Sequence, residues 1–392
     1  MNFRSKEFLR EHVKTSIDFY QEFGVDSEGG FFQTLNAKGE VFEPALKQLV
    51  SSARMTFNYT LAKRFFNDSQ YDKLIQHGLD FVEKVHFDKE NDAYHWLMDG
   101  EKVLDTDNYA YGFAFIILMY SGALEAGFDS AKAGIEKTFA TMEEHLWQEE
   151  FGLYADQTSA DWSRIDAYRG QNANMHACEA MIAAYEATKD EKYLDRAVTI
   201  ASNICIRNSK ETDGLIWEHY DSNWNVNWDY NKDNPRNLYK PWGYQPGHLI
   251  EWTKLLLLIR RHRDIDWLLP QAKMLFDVAI TKAWDKEHGG FFYGFAPDDS
   301  ICDDEKYFWV HAEAFAAAAL LADALDNEEY WRIYDRIWNY CWDKFCGGSH
   351  GPWLRLLDRS GKSIDPMIAS PGAKIEYHTI AATCEVLRTI NQ

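Results

Sequence analysis

The chain has 392 residues, of which 41 are basic and 62 are acidic, so its net charge is -21. Because it carries no cluster of lysine and arginine, we expect neither nucleic acid nor an anionic membrane surface as a partner. A hydrophobic fraction of 46% with 15 tryptophans is enough for one large core, and no run of about 18 apolar residues indicates a membrane-spanning helix.

The beginning of the chain and its cysteines indicate a cellular compartment. The first 20 residues are charged throughout and lack the apolar stretch of a signal peptide. The six cysteines form neither CxxC pairs nor a dense disulfide framework. These features predict a protein of a reducing compartment, most simply the cytoplasm, present as a monomer or a homodimer.

Helical periodicity runs through twelve segments, in which apolar residues recur at steps of three and four. The predicted segments are 6–23, 46–66, 69–86, 106–125, 130–147, 172–188, 190–205, 246–263, 267–284, 306–325, 328–345 and 372–391. The odd-numbered segments are amphipathic, whereas the even-numbered ones are apolar on most faces, which is typical of buried helices. This alternation predicts one all-α domain over residues 1–392, an (α/α)6 barrel with short β-hairpins in its long loops.

An aromatic turn recurs six times along this series of helices. The turns lie at Phe32, Tyr94, Tyr154, Ile216, Phe292 and Trp353, at spacings of 62, 60, 62, 76 and 61 residues. A period of this size is typical of repeat architectures, in which each unit buries its apolar face against its neighbours. In a closed ring the six inner helices would begin at one face. The 76-residue interval holds a polar, aromatic insertion, which we expect to be a functional loop at that face.

Three histidines fall in the first turns of inner helices. They are His176, His248 and His378, and the first two are followed by Glu179 and Glu251 three residues later. A single histidine on an apolar helix is more often a structural core residue. Three at equivalent positions of three repeats predict a shared polar pocket instead, because unpaired polar groups are costly in a dry interior.

Other candidate side chains occur at the same ends of inner helices. Arg54 lies on the second segment, where a buried guanidinium needs an anionic or carbonyl partner. Tyr109 and His311 are further side chains at these helix starts. The candidates for substrate contact are Tyr111, Asn172, Glu251, Trp309, Glu313 and Lys374. The aromatic members either pack the core or form a platform for the apolar face of a sugar ring.

Several chemistries lack their motifs in this chain. There is no HExxH pair, no PCxxC after His311, no phosphate-binding glycine loop and no serine elbow. We therefore expect no metal and no cofactor. The chemistry that remains is proton transfer by imidazole, whose ordinary pKa near 6.5 suits the abstraction of a carbon-bound proton beside a sugar carbonyl. The resulting enediolate needs positive donors that are already in place.

Five segments resemble the N-acylglucosamine 2-epimerase family, and the resemblance spans nearly the whole chain. They are "ARMTFNY", "NANMHACEA", "PWGYQPGHLIEWTKLLL", "WVHAEA" and "KIEYHTIAA". The resemblance implies an (α/α)6 barrel and cofactor-free isomerisation or epimerisation of a monosaccharide. Within the family the insertion is more similar to the aldose–ketose isomerases, which implies interconversion of D-mannose and D-fructose, or of D-lyxose and D-xylulose.

The resemblance also implies roles for the candidate residues. His378 and His248 match the two proton-transfer histidines of the family. His176 matches the histidine that assists ring opening and holds the carbonyl oxygen, Arg54 matches the substrate-binding arginine, and Glu251 is implied to orient His248.

Other functions remain open on the sequence. The site residues also fit a sugar 2-epimerase, and Lys240 and Lys374 leave room for a charged substituent, as in a sulfoquinovose isomerase. An (α/α)6 glycosidase would need two carboxylates about 5–10 Å apart, for which Asp107 or Glu313 with Asp229 are the candidates. A sugar-binding protein without catalysis is the remaining alternative.

Overall fold

The computed structural model describes residues 1–364 and 375–390, and these form twelve α-helices joined by short strands. The helices are α1 (Lys6–Phe23), α2 (Leu49–Phe66), α3 (Asp72–Phe81), α4 (Ala110–Glu125), α5 (Ala131–His145), α6 (Gln171–Thr188), α7 (Glu191–Ser202), α8 (Pro246–His262), α9 (Leu268–Ala283), α10 (Phe308–Leu325), α11 (Glu328–Lys344) and α12 (Tyr377–Thr389). The predicted all-α fold class is confirmed.

The strands are two to four residues long and form small antiparallel sheets in the loops. They are β1 (Leu46–Gln48), β2 (Phe87–Asp88), β3 (Ala93–Tyr94), β4 (Leu97–Asp99), β5 (Lys102–Asp105), β6 (Asn108–Tyr109), β7 (Trp147–Gln148), β8 (Leu153–Tyr154), β9 (Gln157–Thr158), β10 (Arg169–Gly170), β11 (His219–Tyr220), β12 (Gly294–Phe295), β13 (Ile301–Asp303), β14 (Lys306–Tyr307) and β15 (Leu356–Leu357). The pairs are β1–β4–β5, β2–β3, β6–β9, β7–β8, β10–β11, β12–β13 and β14–β15.

The even-numbered helices form a closed inner ring. Each one packs against the next in the order α2, α4, α6, α8, α10 and α12, and α12 packs back against α2. The odd-numbered helices lie outside, with α3, α5, α7, α9 and α11 against the inner helix that precedes each of them and α1 against α12. This is the predicted (α/α)6 arrangement. It follows from the apolar character of the even-numbered helices, which bury nearly every residue of α2, α4 and α10.

Small residues let neighbouring inner helices approach closely. On α4, a Cβ added to Gly122 would lie 2.4 Å from Thr60 Oγ1 and 2.7 Å from the Phe57 ring, both on α2. Any larger residue at Gly122 would therefore push the two helices apart.

One helix corrects the expectation that no segment could span a membrane. Among the described residues, α10 is the one helix of 18 residues or more that is apolar enough to do so, with a mean hydropathy of 1.4. Its alanines and leucines outweigh the polar residues that interrupt the run. In the structure 83% of this window is buried against α8, α11 and α12, which is the position of a core helix.

The insertion before α8 is held by specific contacts. Trp217 Nε1 donates to the carbonyl of Asn227 (3.0 Å), and His219 Nε2 donates to the carbonyl of Pro241 (2.8 Å). Arg236 pairs with Asp304 at 2.7 Å. These contacts fix the segment beside the N-terminus of α8, at the face where the inner helices begin.

Candidate active site

Three candidate histidines occupy the first turns of three inner helices. His176 is the sixth residue of α6, His248 the third of α8 and His378 the second of α12. Pro246 begins α8, as expected of a residue whose missing N–H costs nothing in the first turn. Because these helices all start at one face of the ring, their positive N-terminal ends surround a common pocket.

His248 is oriented by a carboxylate that precedes the insertion. Its Nδ1 lies 2.9 Å from both oxygens of Glu218, the residue just before β11. Glu218 also accepts from Gln171 Nε2 (3.0 Å), and Gln171 Oε1 accepts from Trp252 Nε1 (2.7 Å). The expectation that Glu251 orients His248 is therefore wrong. The imidazole of His248 turns toward the loop carboxylate.

Glu251, one helical turn further along α8, lies deeper in the ring. Its Oε1 is 3.9 Å from His176 Nδ1, and neither carboxyl oxygen has a hydrogen-bond partner among the described residues. Burial, and then the nearby carboxylates of Glu313 and Glu179, raises the pKa of Glu251 well above its usual range. This setting favours the neutral form of Glu251, in which the carboxylic acid can donate a hydrogen bond.

His378 and His176 also bind carboxylates through Nδ1. Glu313 Oε1 lies 2.7 Å from His378 Nδ1, and Glu179 Oε2 lies 3.0 Å from His176 Nδ1. Between the two carboxylates sits Lys254 of α8, whose Nζ is 2.6 Å from Glu313 Oε2 and 3.4 Å from Glu179 Oε1. Glu313, expected to contact substrate, is completely buried and serves His378 instead.

These contacts set the tautomer of each imidazole when its partner carboxylate is ionised. Such a carboxylate only accepts hydrogen bonds, so Nδ1 then carries the proton and Nε2 keeps its lone pair in the neutral ring. Burial lowers the pKa of His176 to about 4. Burial and the charge of Arg54 lower the pKa of His378 well below 6.5. At neutral pH these two rings are therefore uncharged bases.

Arg54 of α2 supplies a positive charge to the same pocket. Its guanidinium donates to Tyr111 Oη (2.9 Å) and lies 4.1 Å from the centre of the Phe115 ring and 4.7 Å from that of Tyr377. Phe115 also packs against the His176 ring at 4.8 Å. The structure thus brings Arg54, Tyr111 and His176 together.

Trp309 joins the other two histidines. Its ring centre lies 5.3 Å from that of His248 and 5.5 Å from that of His378. Asn172, the second residue of α6, has a buried Oδ1 without a hydrogen-bond partner among the described residues. Tyr109, in contrast, donates to Asp105 and packs on Trp96 at 4.4 Å, so it supports the rim.

His311 has a structural role. Its Nε2 accepts from the backbone N–H of Phe291 (2.9 Å), and its Nδ1 donates to the carbonyl of Tyr307 (2.8 Å). Burial lowers its pKa to about 3, so the ring is neutral and both of its nitrogens are in use. The interpretation of an isolated histidine as a core residue is correct here.

Within the described part of the chain, two groups of side chains could ligate a metal by distance alone. His176, Glu179 and Glu251 form one and Glu251, Glu313 and His378 the other, with ligand atoms within 4.8 Å of one another. The donor set fits a metal poorly. Both groups use carboxylates that already contact the Lys254 ammonium or histidine Nδ1 atoms, so a cation would be added next to an existing one.

The carboxylates considered for a glycosidase differ in their surroundings. Asp229 has 82% of its side chain exposed and pairs with Lys232, while Glu313 is fully buried. Asp107 accepts from Gln157 Nε2 at 2.8 Å.

Lys240 and Lys374 were considered as contacts for a charged substituent of the sugar, and the structure describes the first of them. The ammonium of Lys240 lies 3.7 Å from the centre of the Tyr168 ring. Lys374 lies outside the described residues.

Sequence reasoning missed Glu218 and Lys254. Glu218 occurs in "LIWEHY", 30 residues before His248, where a carboxylate within a buried aromatic turn was the available signal. Lys254 in "EWTKLLLL" is a lone cation on a helix that is otherwise apolar at this point. Such a residue usually needs a buried partner.

Comparisons with known proteins agree with this fold. The N-acylglucosamine 2-epimerase family matches residues 30–382. A D-mannose isomerase from Marinomonas mediterranea is 44% identical over 389 residues, covering 99% of this chain and 98% of that protein. A crystal structure of a D-mannose isomerase, also 44% identical, superposes with a TM-score of 0.97 and covers 99% of each chain.

A more distant likeness concerns the fold alone. The cellobiose 2-epimerase of Bacillus thermoamylovorans B4167 is 18% identical, with a TM-score of 0.86 over 99% of this chain and 100% of that one.

The match to the family over most of the chain confirms the resemblance found in the sequence. The chain therefore belongs to the N-acylglucosamine 2-epimerase family.

Proposed function

We propose that this sugar isomerase converts D-mannose to D-fructose, and D-lyxose to D-xylulose, without a cofactor. The observation that carries the proposal is the set of three imidazoles, His176, His248 and His378, each held at Nδ1 by a carboxylate and without a hydrogen bond at Nε2 among the described residues. The 44% identity to a protein named D-mannose isomerase supports the choice of sugar.

Ring opening is the first step, because only the open-chain aldose has a carbonyl. His176 is neutral at pH 7, so its Nε2 takes the proton of the anomeric hydroxyl as the C1=O1 carbonyl forms and the C1–O5 bond breaks. The imidazolium then passes this proton to the ring oxygen O5, which leaves the open-chain sugar and a neutral His176. Tyr111, bound to Arg54, is in contact with the His176 ring at 4.9 Å and helps to position the sugar.

His378 moves the carbon-bound proton. Its neutral Nε2 takes the proton from C2, and the electron pair passes into the C1–C2 bond as O1 becomes anionic. The charge of this cis-enediolate is stabilised by Arg54 and by the positive N-terminal ends of the inner helices, all fixed before the reaction. His378 then returns the same proton to C1, on the same face of the enediolate.

His248 moves the second proton between the two oxygens. It takes the hydroxyl proton of O2 and delivers a proton to O1, so that O2 becomes the ketone of the product and O1 a hydroxyl. Glu218 stabilises the imidazolium formed in between, since its carboxylate accepts Nδ1–H. Atoms and charges balance, and no electron acceptor is needed.

The remaining candidates would bind rather than react. Trp309, between two of the imidazoles, offers an apolar face to the sugar C–H groups. Asn172 has an oxygen free to accept from a sugar hydroxyl. Neutral Glu251 can donate to a sugar oxygen. Lys374 stays a proposed contact on sequence grounds only.

A sugar 2-epimerase is the second candidate, because two imidazoles, those of His248 and His378, lie next to the Trp309 ring. His248 and His378 could then serve as two bases on opposite faces of C2. Incubation with D-mannose in heavy water, followed by NMR, separates the two. D-Fructose as the first product supports the isomerase, D-glucose as the first product supports the epimerase, and no change in either sugar overturns both.

We also propose that residues 1–392 act as one catalytic domain, since ring closure between α12 and α2 needs both ends of the chain. All six cysteines lie in the described part and are unpaired, which supports a cytoplasmic location. A small sugar remains the proposed partner, with the protein a monomer or a homodimer.

A further inference from the structure

Lys254 is a buried cation that takes no part in the proton transfers proposed above. It lies on α8, two turns below His248, and its side chain is 5% exposed. Its Nζ contacts Glu313 Oε2 on α10 and Glu179 Oε1 on α6. A buried ammonium is costly unless it is paired, so these two contacts hold it in the ring interior.

The two carboxylates use their oxygens in the same way. Each binds a histidine Nδ1 through one oxygen and Lys254 through the other. The result is a continuous chain of side chains, His176–Glu179–Lys254–Glu313–His378, that crosses the ring from α6 to α12. The two histidines are thus joined through a single ammonium group.

We propose that Lys254 is a positioning residue that keeps Glu179 and Glu313 ionised and thereby fixes His176 and His378 as Nδ1–H tautomers. Their Nε2 lone pairs then face the substrate as bases. The effect on catalysis rests on the proposed function, whereas the effect on the tautomers does not.

The physical need for the cation comes from crowding of carboxyl groups. Glu179, Glu251 and Glu313 converge on Lys254, and Arg54 and Tyr377 face the same cluster from α2 and α12. Burial opposes ionisation of Glu179, but Lys254 and then His176 hold the pKa of this carboxyl below its ordinary value. Burial and the charge of Glu179 raise the pKa of Glu313, and Lys254 is the main group that opposes this rise. The carboxyls in turn raise the pKa of Lys254 despite its burial.

Loss of the Lys254 ammonium would move the ring proton of His176 and His378 from Nδ1 to Nε2. Without it the crowded carboxyls would take up protons near neutral pH, because burial and mutual repulsion both favour the neutral form. A protonated carboxyl offers O–H to Nδ1, so the ring proton would move to Nε2. An imidazole in that form has no lone pair toward the substrate and cannot act as a base there.

The test compares Lys254→Met with Lys47→Met. Lys47 is a matched control, since its side chain is 6% exposed and pairs with Asp26 at 2.8 Å, outside the site. Nitrogen-15 NMR of the histidine rings is expected to show His176 and His378 as Nδ1–H tautomers in the wild type and in Lys47→Met. In Lys254→Met we expect both to lose that tautomer at pH 7.

Kinetics supply the second readout. For Lys254→Met we expect kcat for D-mannose to fall about 10- to 100-fold at pH 7 with KM within about twofold, and the acid limb of kcat to move to higher pH. Should this variant fail to fold, Glu313→Gln and Glu179→Gln are expected to change the tautomer of His378 and His176 respectively, one ring in each variant.

Unchanged tautomers in Lys254→Met, or in the two glutamine variants, would overturn the proposal. So would a folded Lys254→Met enzyme with the wild-type pH profile, because a purely structural ion pair predicts that result. A wild-type protein that does not convert D-mannose would refute the proposed function, but the NMR comparison would still decide the role of Lys254.

Discussion

Replacing Glu218 by glutamine tests how His248 is held. In the wild type, Glu218 accepts from two donors, His248 Nδ1–H and Gln171 Nε2–H. The amide of Gln171 cannot flip, because its Oε1 accepts a hydrogen bond from Trp252. The new carboxamide has a single oxygen. If that oxygen stays with Gln171, the NH2 group faces His248 Nδ1 and forces the proton onto Nε2.

The size of the effect follows from the hydrogen bond that is lost. Hydrogen bonds to charged groups contribute about 1.5–3 kcal/mol, which corresponds to about a 10- to 150-fold lower kcat for Glu218→Gln. The wrong tautomer would add to this loss.

The assay is formation of D-fructose from D-mannose at saturating substrate. Glu211→Gln is the control, because it makes the same chemical change at an exposed position of the same segment, and we expect it to match the wild type. A folded Glu218→Gln enzyme with wild-type kcat would refute the assignment of Glu218 as the partner of His248.

Three further predictions concern the proposed bases and the metal-free chemistry. We expect His378→Ala to lower kcat by about 10²–10⁴-fold or more, as typical for loss of a general base, with an unchanged circular dichroism spectrum; turnover near the wild-type rate would contradict the role of His378. We expect prolonged dialysis against EDTA to leave activity unchanged, since Lys254 already provides the cation between Glu313 and Glu179; loss of activity that a divalent ion restores would show that a metal is required. The pKa of His176 is lowered to about 4, so the folded protein leaves this ring neutral while the unfolded chain protonates it near pH 6.5. The neutral ring therefore makes folding less favourable as the pH falls from about 6.5 to 4. We expect the free energy of unfolding in urea to fall less between pH 7 and pH 5 for His176→Gln than for the wild type. Equal losses would refute the lowered pKa of His176.

The helices were predictable because each one carries its own periodic signal. Helix α1 occupies Lys6–Phe23, the predicted range 6–23, and α8 begins at the predicted residue, Pro246. Helices α2, α4 and α10 begin later than predicted, because Leu46–Gln48, Asn108–Tyr109 and Lys306–Tyr307 are strands paired with distant segments. Helix α12, predicted from residue 372, begins at Tyr377. Such long-range pairing leaves no periodic trace in the local sequence.

The ends of two outer helices also differ from the prediction. Val82–His86 and Asn203–Arg207 are π-helical continuations of α3 and α7. Both segments keep apolar residues at helical steps, so periodicity alone does not distinguish them from an α-helix.

The site was predictable where a residue's position within a repeat was enough. His176, His248, His378 and Arg54 were found because equivalent helix starts converge. Their partners depend on three-dimensional packing. The pairing of His378 with Glu313 joins residues 65 positions apart.

The partner predicted for His248 was wrong for the same reason. The family resemblance implied that Glu251 orients His248, but the imidazole turns toward the loop before β11 and contacts Glu218 instead. The orientation of a side chain about its own bonds is not encoded in helical spacing.

The central claim is that His378 carries a proton from C2 to C1 of D-mannose. The most direct measurement uses D-mannose labelled with deuterium at C2 and follows the label by NMR in wild-type and His378→Asn protein. The account predicts that wild-type product is D-fructose with part of the deuterium at one position of C1, and that His378→Asn neither forms product nor removes the label. Release of the label by His378→Asn at the wild-type rate would contradict it.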